Sequence, residues 1–428
     1  MSQLSDLTSP FRQRFAVVLL LTWAGTGLSP ACQAADPELK QKPKQISITD
    51  RLPYGLPPID YLNDKADDPI ATLGRQLKSG DVTLKRGEKH GYLKSLLKML
   101  DVPIESQLLV FSKTALNQKL IGPTNPRAIY FNDDVYIAWV PGASSLEISA
   151  VDPIKGGMFY LLSQTTQTPP RFDRLEQCLA CHAGTTTLQV PGHMTRSFLT
   201  DARGKPIVGY SRVTHDRPLP KRWGGWYVTG THGDQNHTGN IFGKDLIAKQ
   251  KSEPNVRGNI TSLKPFFDVK IHLSPHSDIV AHLVLNHQVH GHNLITRVGY
   301  EARFNRKSDA EEQLARYLLF LDEPDLTAPI HGTSGYREQF EKRGPKDSAG
   351  RSLRQFDLKT WLFKHRLSFL IHTAAFDALP TAARNRVYGR LWELLAKSDR
   401  TPAEREAIIS IVRATKKGLP EVWNVRSE

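Results

Sequence analysis

Ala128-Ile-Tyr-Phe131, Val135-Tyr-Ile-Ala-Trp-Val140, Leu146-Glu-Ile-Ser-Ala-Val151 and Met158-Phe-Tyr-Leu-Leu162 are four short runs rich in β-branched and aromatic residues. Between them lie Asn132-Asp-Asp134, Pro141-Gly-Ala-Ser-Ser145 and Pro153-Ile-Lys-Gly-Gly157. Such spacers supply the backbone freedom and side-chain acceptors of tight turns. Short strands joined by turns predict an antiparallel meander of about four strands.

Upstream, the period changes to that of a helix. Ile70, Leu73 and Leu77 form one stripe over Pro69 to Ser79, and Leu93, Leu96, Leu97 and Leu100 form a second from Tyr92. Residues 35–68 are polar and rich in proline (Pro37, Pro43, Pro53, Pro57, Pro58), which predicts an extended arm. Downstream, Ser277 to Phe304 predicts a long helix with a core stripe through Val280, Leu283, Val284, His287, Gly291, Leu294, Ile295, Val298 and Ala302. On that stripe His287 faces the core, while His282, His290 and His292 are expected at its exposed side. Further helices are expected at Ala310–Leu321, Leu367–Phe376, Ala382–Lys397 and Ala403–Lys416. A strand-rich half followed by a helical half is an α+β pattern.

Between the two halves stands Cys178-Leu-Ala-Cys-His182. C-x-x-C-H is the attachment site of haem c: two thiols on one turn reach the two vinyl groups, and the next imidazole reaches the iron. The other readings are a zinc site, a redox dithiol and a chance match. A structural zinc site needs a second ligand pair. The chain has three cysteines in all, and the third is Cys32. A dithiol gives no reason for His182.

The N-terminus points the same way. Arg12 and Arg14 precede the apolar run Phe15 to Ala24, and small residues follow at Ala31, Ala34 and Ala35. This is a Sec-type signal peptide over residues 1–34, shorter in its apolar part than the roughly 20 residues that span a bilayer. Ser29-Pro-Ala31 is a poor approach to an acylated Cys32, and Gln13 separates the arginines, so neither a lipid anchor nor a twin-arginine signal is indicated. The expected location is the periplasm, with no integral span after cleavage.

With 57 Lys and Arg against 43 Asp and Glu, the formal net charge is +14. The cations are scattered, without the dense tract of a nucleic-acid binder, and nucleic acid is not an expected partner. The division that follows is a signal peptide (1–34), an arm or linker (35–68), a mixed α/β domain (69–170), a haem c segment (171–245) and a helical region (246–428). Residues 183–240 are rich in Gly, Thr and His with little periodicity, which suits a wrapping around a flat cofactor.

The second axial ligand decides whether such an iron carries electrons or meets substrates. Arg222-Trp-Gly-Gly-Trp-Tyr-Val-Thr-Gly-Thr-His-Gly-Asp-Gln-Asn-His237 places Trp223, Trp226 and Tyr227 as ring walls ahead of His232 and His237. His232 leads as candidate ligand, then His237, His193 and Met194; Met99 reads as helix core. His287 and His292 rank lower, and the His287–His290 pair reads as structural, since no carboxylate shares its face. Arg196, Arg212, Arg217 and Arg222 are candidate partners for propionates.

These stretches, with Leu109-Val-Phe-Ser-Lys-Thr114, Tyr130-Phe-Asn-Asp-Asp-Val-Tyr136, Val190-Pro-Gly-His193, Ser277-Asp-Ile-Val280, His292-Asn293 and Arg351-Ser-Leu-Arg354 through Phe356-Asp-Leu358, resemble exported bacterial cytochrome c domain-containing proteins of uncharacterised function. The resemblance spans about residues 70 to 420. It implies export and one covalent haem c, and its pattern carries histidines at 232, 237, 287 and 292 but not at 282 or 290. The function expected is one-electron transfer with a periplasmic redox partner. The alternatives are a haem c-dependent oxidoreductase, peroxidase- or oxygenase-like with an open iron face, and a haem-based sensor or interaction subunit.

Overall fold

The computed structural model describes residues 36–424 except 64 and 166–168. The signal-peptide reading, with Cys32, lies outside the described residues.

The chain is α+β. Nine strands are described: β1 (Leu108–Val110), β2 (Arg127–Phe131), β3 (Val135–Trp139), β4 (Ser145–Asp152), β5 (Gly156–Ser163), β6 (Phe172–Arg174), β7 (Arg196–Thr200), β8 (Pro206–Arg212) and β9 (Trp226–Tyr227). The expected meander is β2 to β5, and it is the centre of a larger sheet. The order is β6-β5-β4-β3-β2-β1-β9, antiparallel at every pairing. β7 and β8 pair as a separate hairpin. The segment expected to be a loop wrapping therefore contributes both a hairpin and an edge strand.

The helices are α1 (Pro69–Ser79), α2 (Leu93–Met99), α3 (Leu179–His182), α4 (Lys244–Ser252), α5 (Ile279–Arg303), α6 (Ala310–Leu318), α7 (Tyr336–Lys342), α8 (Ala374–Asp377), α9 (Thr381–Lys397) and α10 (Pro402–Thr415). α1 begins where Asp68 accepts from the N–H groups of Ile70 and Ala71, with Pro69 at its first position. It ends at Gly80, at φ +82°. The stretch Leu367–Phe376 is not one helix. Thr373 takes an extended conformation and caps Phe376 N, so a 3₁₀ turn (Phe369–His372) gives way to the separate α8.

Alternation sends the two faces of the sheet to different layers. Tyr130, Ile137, Trp139, Leu146, Ala150, Met158 and Leu162 join one core cluster with Leu93, Leu96 and Leu97 of α2 and Ile70 and Leu73 of α1. Phe131, Tyr136 and Val151 join the other, which contains α5. α5 is the axis of the molecule: every residue from Ile279 to Glu301 is buried. The one-sided stripe underestimates it, and His282, His290 and His292 are buried with the rest, because β5, α6, α7, α8 and α9 all pack against it. Met99, read as core, is 36% exposed.

The arm carries two 3₁₀ turns (Pro37–Lys40 and Ile48–Asp50) and is docked. Tyr61 Oη donates to the Gly157 carbonyl (2.8 Å), Arg297 Nη1 donates to the Asp50 carbonyl (2.6 Å), and Arg316 Nη2 donates to the Leu39 carbonyl (2.7 Å). It straps the sheet to the helical layer, which a free linker does not do.

Candidate functional site

Ile129 of β2, Ala138 of β3, Glu147 of β4 and Leu161 of β5 are register partners in one row across the sheet. In the next row Tyr136 faces Ser149, and Ser149 faces Phe159. The small side chains of Ala138 and Ser149 leave space above the sheet. That space is a cavity of about 540 Å³, floored by these strands and walled by Trp226 and by Leu285 and Val289 of α5. Cofactor pockets span about 300–1,000 Å³.

The C-x-x-C-H turn closes one side. Cys178, Cys181 and His182 all line the cavity, and neither thiol is in a disulfide. A 3₁₀ turn (Glu176–Cys178) runs directly into α3, so the three side chains leave one short helical unit. The His182 ring lies 4.6 Å from that of Phe159. Its Nδ1 is 2.9 Å from the Gly192 carbonyl. Burial, more than offsetting that hydrogen bond, pushes its pKa down to about 4. Arg196 and Arg127 also lower it and Glu147 raises it, which sets these three charges around the imidazole.

The loop behind His182 is held by close backbone approach. Gly157 N–H donates to the Pro191 carbonyl (2.9 Å), where glycine faces glycine. A Cβ on Gly192 would overlap the Asn293 carboxamide oxygen. Asn293, on α5, accepts from His193 N–H (3.0 Å) and donates to the His193 carbonyl (2.7 Å). One side chain thus fixes the loop that fixes the imidazole.

Of the candidate ligands, His193 and Met194 line the cavity. The His193 ring lies 4.5 Å from that of Tyr136, and its buried Nε2 has no hydrogen-bond partner. Burial holds its pKa well below the usual imidazole value. His232 and His237 are elsewhere. His232 Nε2 accepts from Asn259 N–H (3.1 Å), His237 Nδ1 accepts from Gly239 N–H (3.0 Å), and their rings are 4.9 Å apart. Burial pushes His237 down to about 3. His287 is held between His215 (Nδ1 to Nδ1, 2.7 Å) and the Ser368 hydroxyl (2.7 Å), and His292 Nε2 donates to the Asp133 carbonyl (2.9 Å). Neither reaches the cavity lining.

The ring walls divide by strand alternation. Trp226 faces the cavity and donates to the Arg196 carbonyl (2.8 Å). Tyr227, next in β9, points the other way into Phe111, Phe242, Phe266 and Phe267. Trp223 is buried against Asn286, to which its Nε1 donates (2.8 Å). Arg196 lines the cavity. Arg222 does not: it donates to the carbonyls of Arg217 and His215, and burial lowers its pKa to about 10.

The charges that the sequence reading missed are Arg127 and Glu147. Arg127 Nη1 is 3.1 Å from Glu147 Oε2, the side chains are 15% and 17% exposed, and both line the cavity. Arg127 Nε is buried without a partner. The alternation of β2 and β4 could have placed them on one face, but a face carrying Arg, Glu and Ser reads as solvent-facing.

Burial first, then Glu147 and Cys181, raise the Cys178 thiol pKa, opposite to a reactive dithiol. Among the described residues no group of three or more His, Cys, Asp and Glu could hold a metal ion by itself. Comparison with family models, with curated proteins and with solved structures gave no match.

Proposed function

We propose that this protein is an exported c-type cytochrome holding one haem through Cys178, Cys181 and His182, and that it transfers single electrons to or from a periplasmic partner. The observation that carries this reading is the opening of both thiols and the His182 imidazole into one cavity of cofactor size. When bound, haem supplies an iron that shifts between two oxidation states one electron apart.

The residues suit that group. A carbonyl only accepts, so the Gly192 contact puts the proton on His182 Nδ1 and leaves the Nε2 lone pair for a metal. The depressed pKa keeps the imidazole neutral. Arg127 and Arg196 offer two guanidinium groups for two propionates, and the unpartnered Arg127 Nε is a donor still to be matched. Trp226, Ile129, Leu285 and Val289 supply apolar surface that excludes water from the ring. Among the described residues no helix is long and apolar enough to cross a membrane.

A haem-dependent oxidoreductase is the second reading. The half-enclosed Arg127–Glu147 pair favours it, since a charged donor–acceptor pair on the cavity floor is more than an electron carrier requires.

Production in a host competent for cytochrome maturation tests the cofactor. The expected result is a red protein whose pigment resists acid-acetone extraction, with the Cys178→Ser/Cys181→Ser variant colourless. A colourless wild-type protein overturns the reading. A low-spin ferric spectrum indifferent to cyanide and azide supports electron transfer; a high-spin one that shifts with them supports the oxidoreductase.

A further inference from the structure

The cavity opens beside the segment 111–122, which contributes Ser112, Thr114, Ala115, Leu116 and Gln118 to its lining. The tip of the β7–β8 hairpin is bonded to that segment, with Lys113 N–H donating to the Gly204 carbonyl (2.9 Å). Segment and tip make one rim.

The exposed charges of segment and tip are cationic. From Phe111 to Pro126 there is no acidic residue, and Lys113 and Lys119 are present. The hairpin tip adds Arg203 and Lys205. Of the carboxylates nearby, Asp201 accepts from the N–H groups of Arg203 (2.9 Å) and Lys205 (2.8 Å), so it closes the turn, and Glu147 on the cavity floor accepts from Asn117 N–H (3.3 Å) and pairs with Arg127 (3.1 Å). Lys119, Arg203 and Lys205 are exposed. Apolar side chains stand among them: Leu116 is 53% exposed, Leu120 43% and Ile207 42%. Exposed apolar groups within a charged surround are the composition of an interaction patch, and the charge steers an oppositely charged partner.

We propose that this rim docks an acidic electron-transfer protein at the mouth of the cavity; the inference rests on the haem reading above. One electron passes between the partner's redox centre and the haem iron, one being oxidised as the other is reduced, with no bond or proton exchanged. The cations set the encounter, and Leu116, Leu120 and Ile207 provide the dry contact that shortens the path.

The test uses the holoprotein, with haem content fixed first by its alkaline pyridine spectrum. Reaction rates are measured by stopped flow with hexacyanoferrate(III), with tris(phenanthroline)cobalt(III), and with a reduced acidic ferredoxin as protein donor, at low and high salt. The expected result is a ferredoxin rate that falls steeply with salt and drops roughly tenfold or more in Lys119→Glu/Arg203→Glu/Lys205→Glu. That variant should also slow hexacyanoferrate and speed the cobalt complex. The same charge change at Lys346, Lys359 and Lys364, exposed on the C-terminal region, should leave all three within twofold. Leu120→Ser/Ile207→Ser should slow ferredoxin alone. Equal losses in the rim and C-terminal variants, or no loss in either, overturn the docking surface while leaving the cytochrome reading intact. A protein without covalent haem overturns both.

Discussion

The Gly192 carbonyl accepts a 2.9 Å hydrogen bond from Nδ1 of His182, ten residues earlier in the chain. Each residue constrains the other. Gly192 has no room for a side chain, because a Cβ would overlap the Asn293 oxygen and press on Thr187. The Gly192→Ala variant must therefore move the loop that orients the imidazole. Overpacking of this kind costs roughly 1–3 kcal/mol. The expected outcome is a lower urea midpoint at unchanged slope, together with a changed haem absorption spectrum. A Gly→Ala control at the half-buried Gly389 of α9, where a Cβ meets nothing within 4 Å, should change neither downward.

Asn293 is the next link. Its carboxamide pairs both the N–H and the carbonyl of His193, at 3.0 and 2.7 Å. In Asn293→Ala two buried backbone groups lose their partners, at about 1–3 kcal/mol for each group left unsatisfied. Equilibrium unfolding should show the loss. Asn293→Asp keeps an acceptor for the N–H but sets a carboxylate against the carbonyl, so it should not rescue.

The four central strands were legible because each pairs with its sequence neighbour and is bounded by turn chemistry. β1 and β9 were not, since three- and two-residue strands have no period to read and pair across a long stretch of chain. The C-x-x-C-H turn announced the site, but the floor did not. Arg127, Ala138, Glu147 and Ser149 look like a solvent face, and only the packing of the hairpin and α5 over them turns that face into a cavity. The histidine-rich stretch 232–237 lies away from the cavity, and its rings accept from the backbone N–H groups of Asn259 and Gly239. Composition marks histidines as available without saying which are already engaged.

Those placements separate the candidate ligands. His232→Ala and His237→Ala should leave the absorption and electron paramagnetic resonance spectra of the holoprotein unchanged. Any change of axial ligation should be confined to His193→Ala or Met194→Ala, whose side chains line the cavity. A spectral change in either of the first pair would return the distal ligand to the 232–237 loop.

Glu323 makes stability depend on pH. Burial, outweighing the attraction of Arg222, Arg366 and Arg400, raises its pKa to about 8, and its Oε2 has no hydrogen-bond partner. The folded state therefore retains a proton that the unfolded chain gives up above its ordinary value of 4.5. Between those pH values the folded form binds more protons, so this group's contribution to stability falls as pH rises, and levels off above about 8. The slope is on the order of 1 kcal/mol per pH unit. Glu323→Gln should flatten the stability profile between pH 5 and 8. A parallel profile would show that another group titrates there.

The cavity floor allows a test that leaves the thiols and His182 untouched. Ala138 lies between Ile129 and Glu147 in one row of the sheet, and its small side chain leaves the space above the sheet open. Phenylalanine has good strand propensity, and Ala138→Phe would project its ring into the open volume instead of a packed core. The fold should persist, with the far-ultraviolet circular dichroism of the wild type and a thermal midpoint within a few degrees. Covalent haem content, read from the alkaline pyridine spectrum per mole of protein, should fall severalfold, with free thiols at Cys178 and Cys181 appearing in proportion. Full haem content in this variant would mean that the ring lies off the sheet floor, against Trp226 and α5 alone.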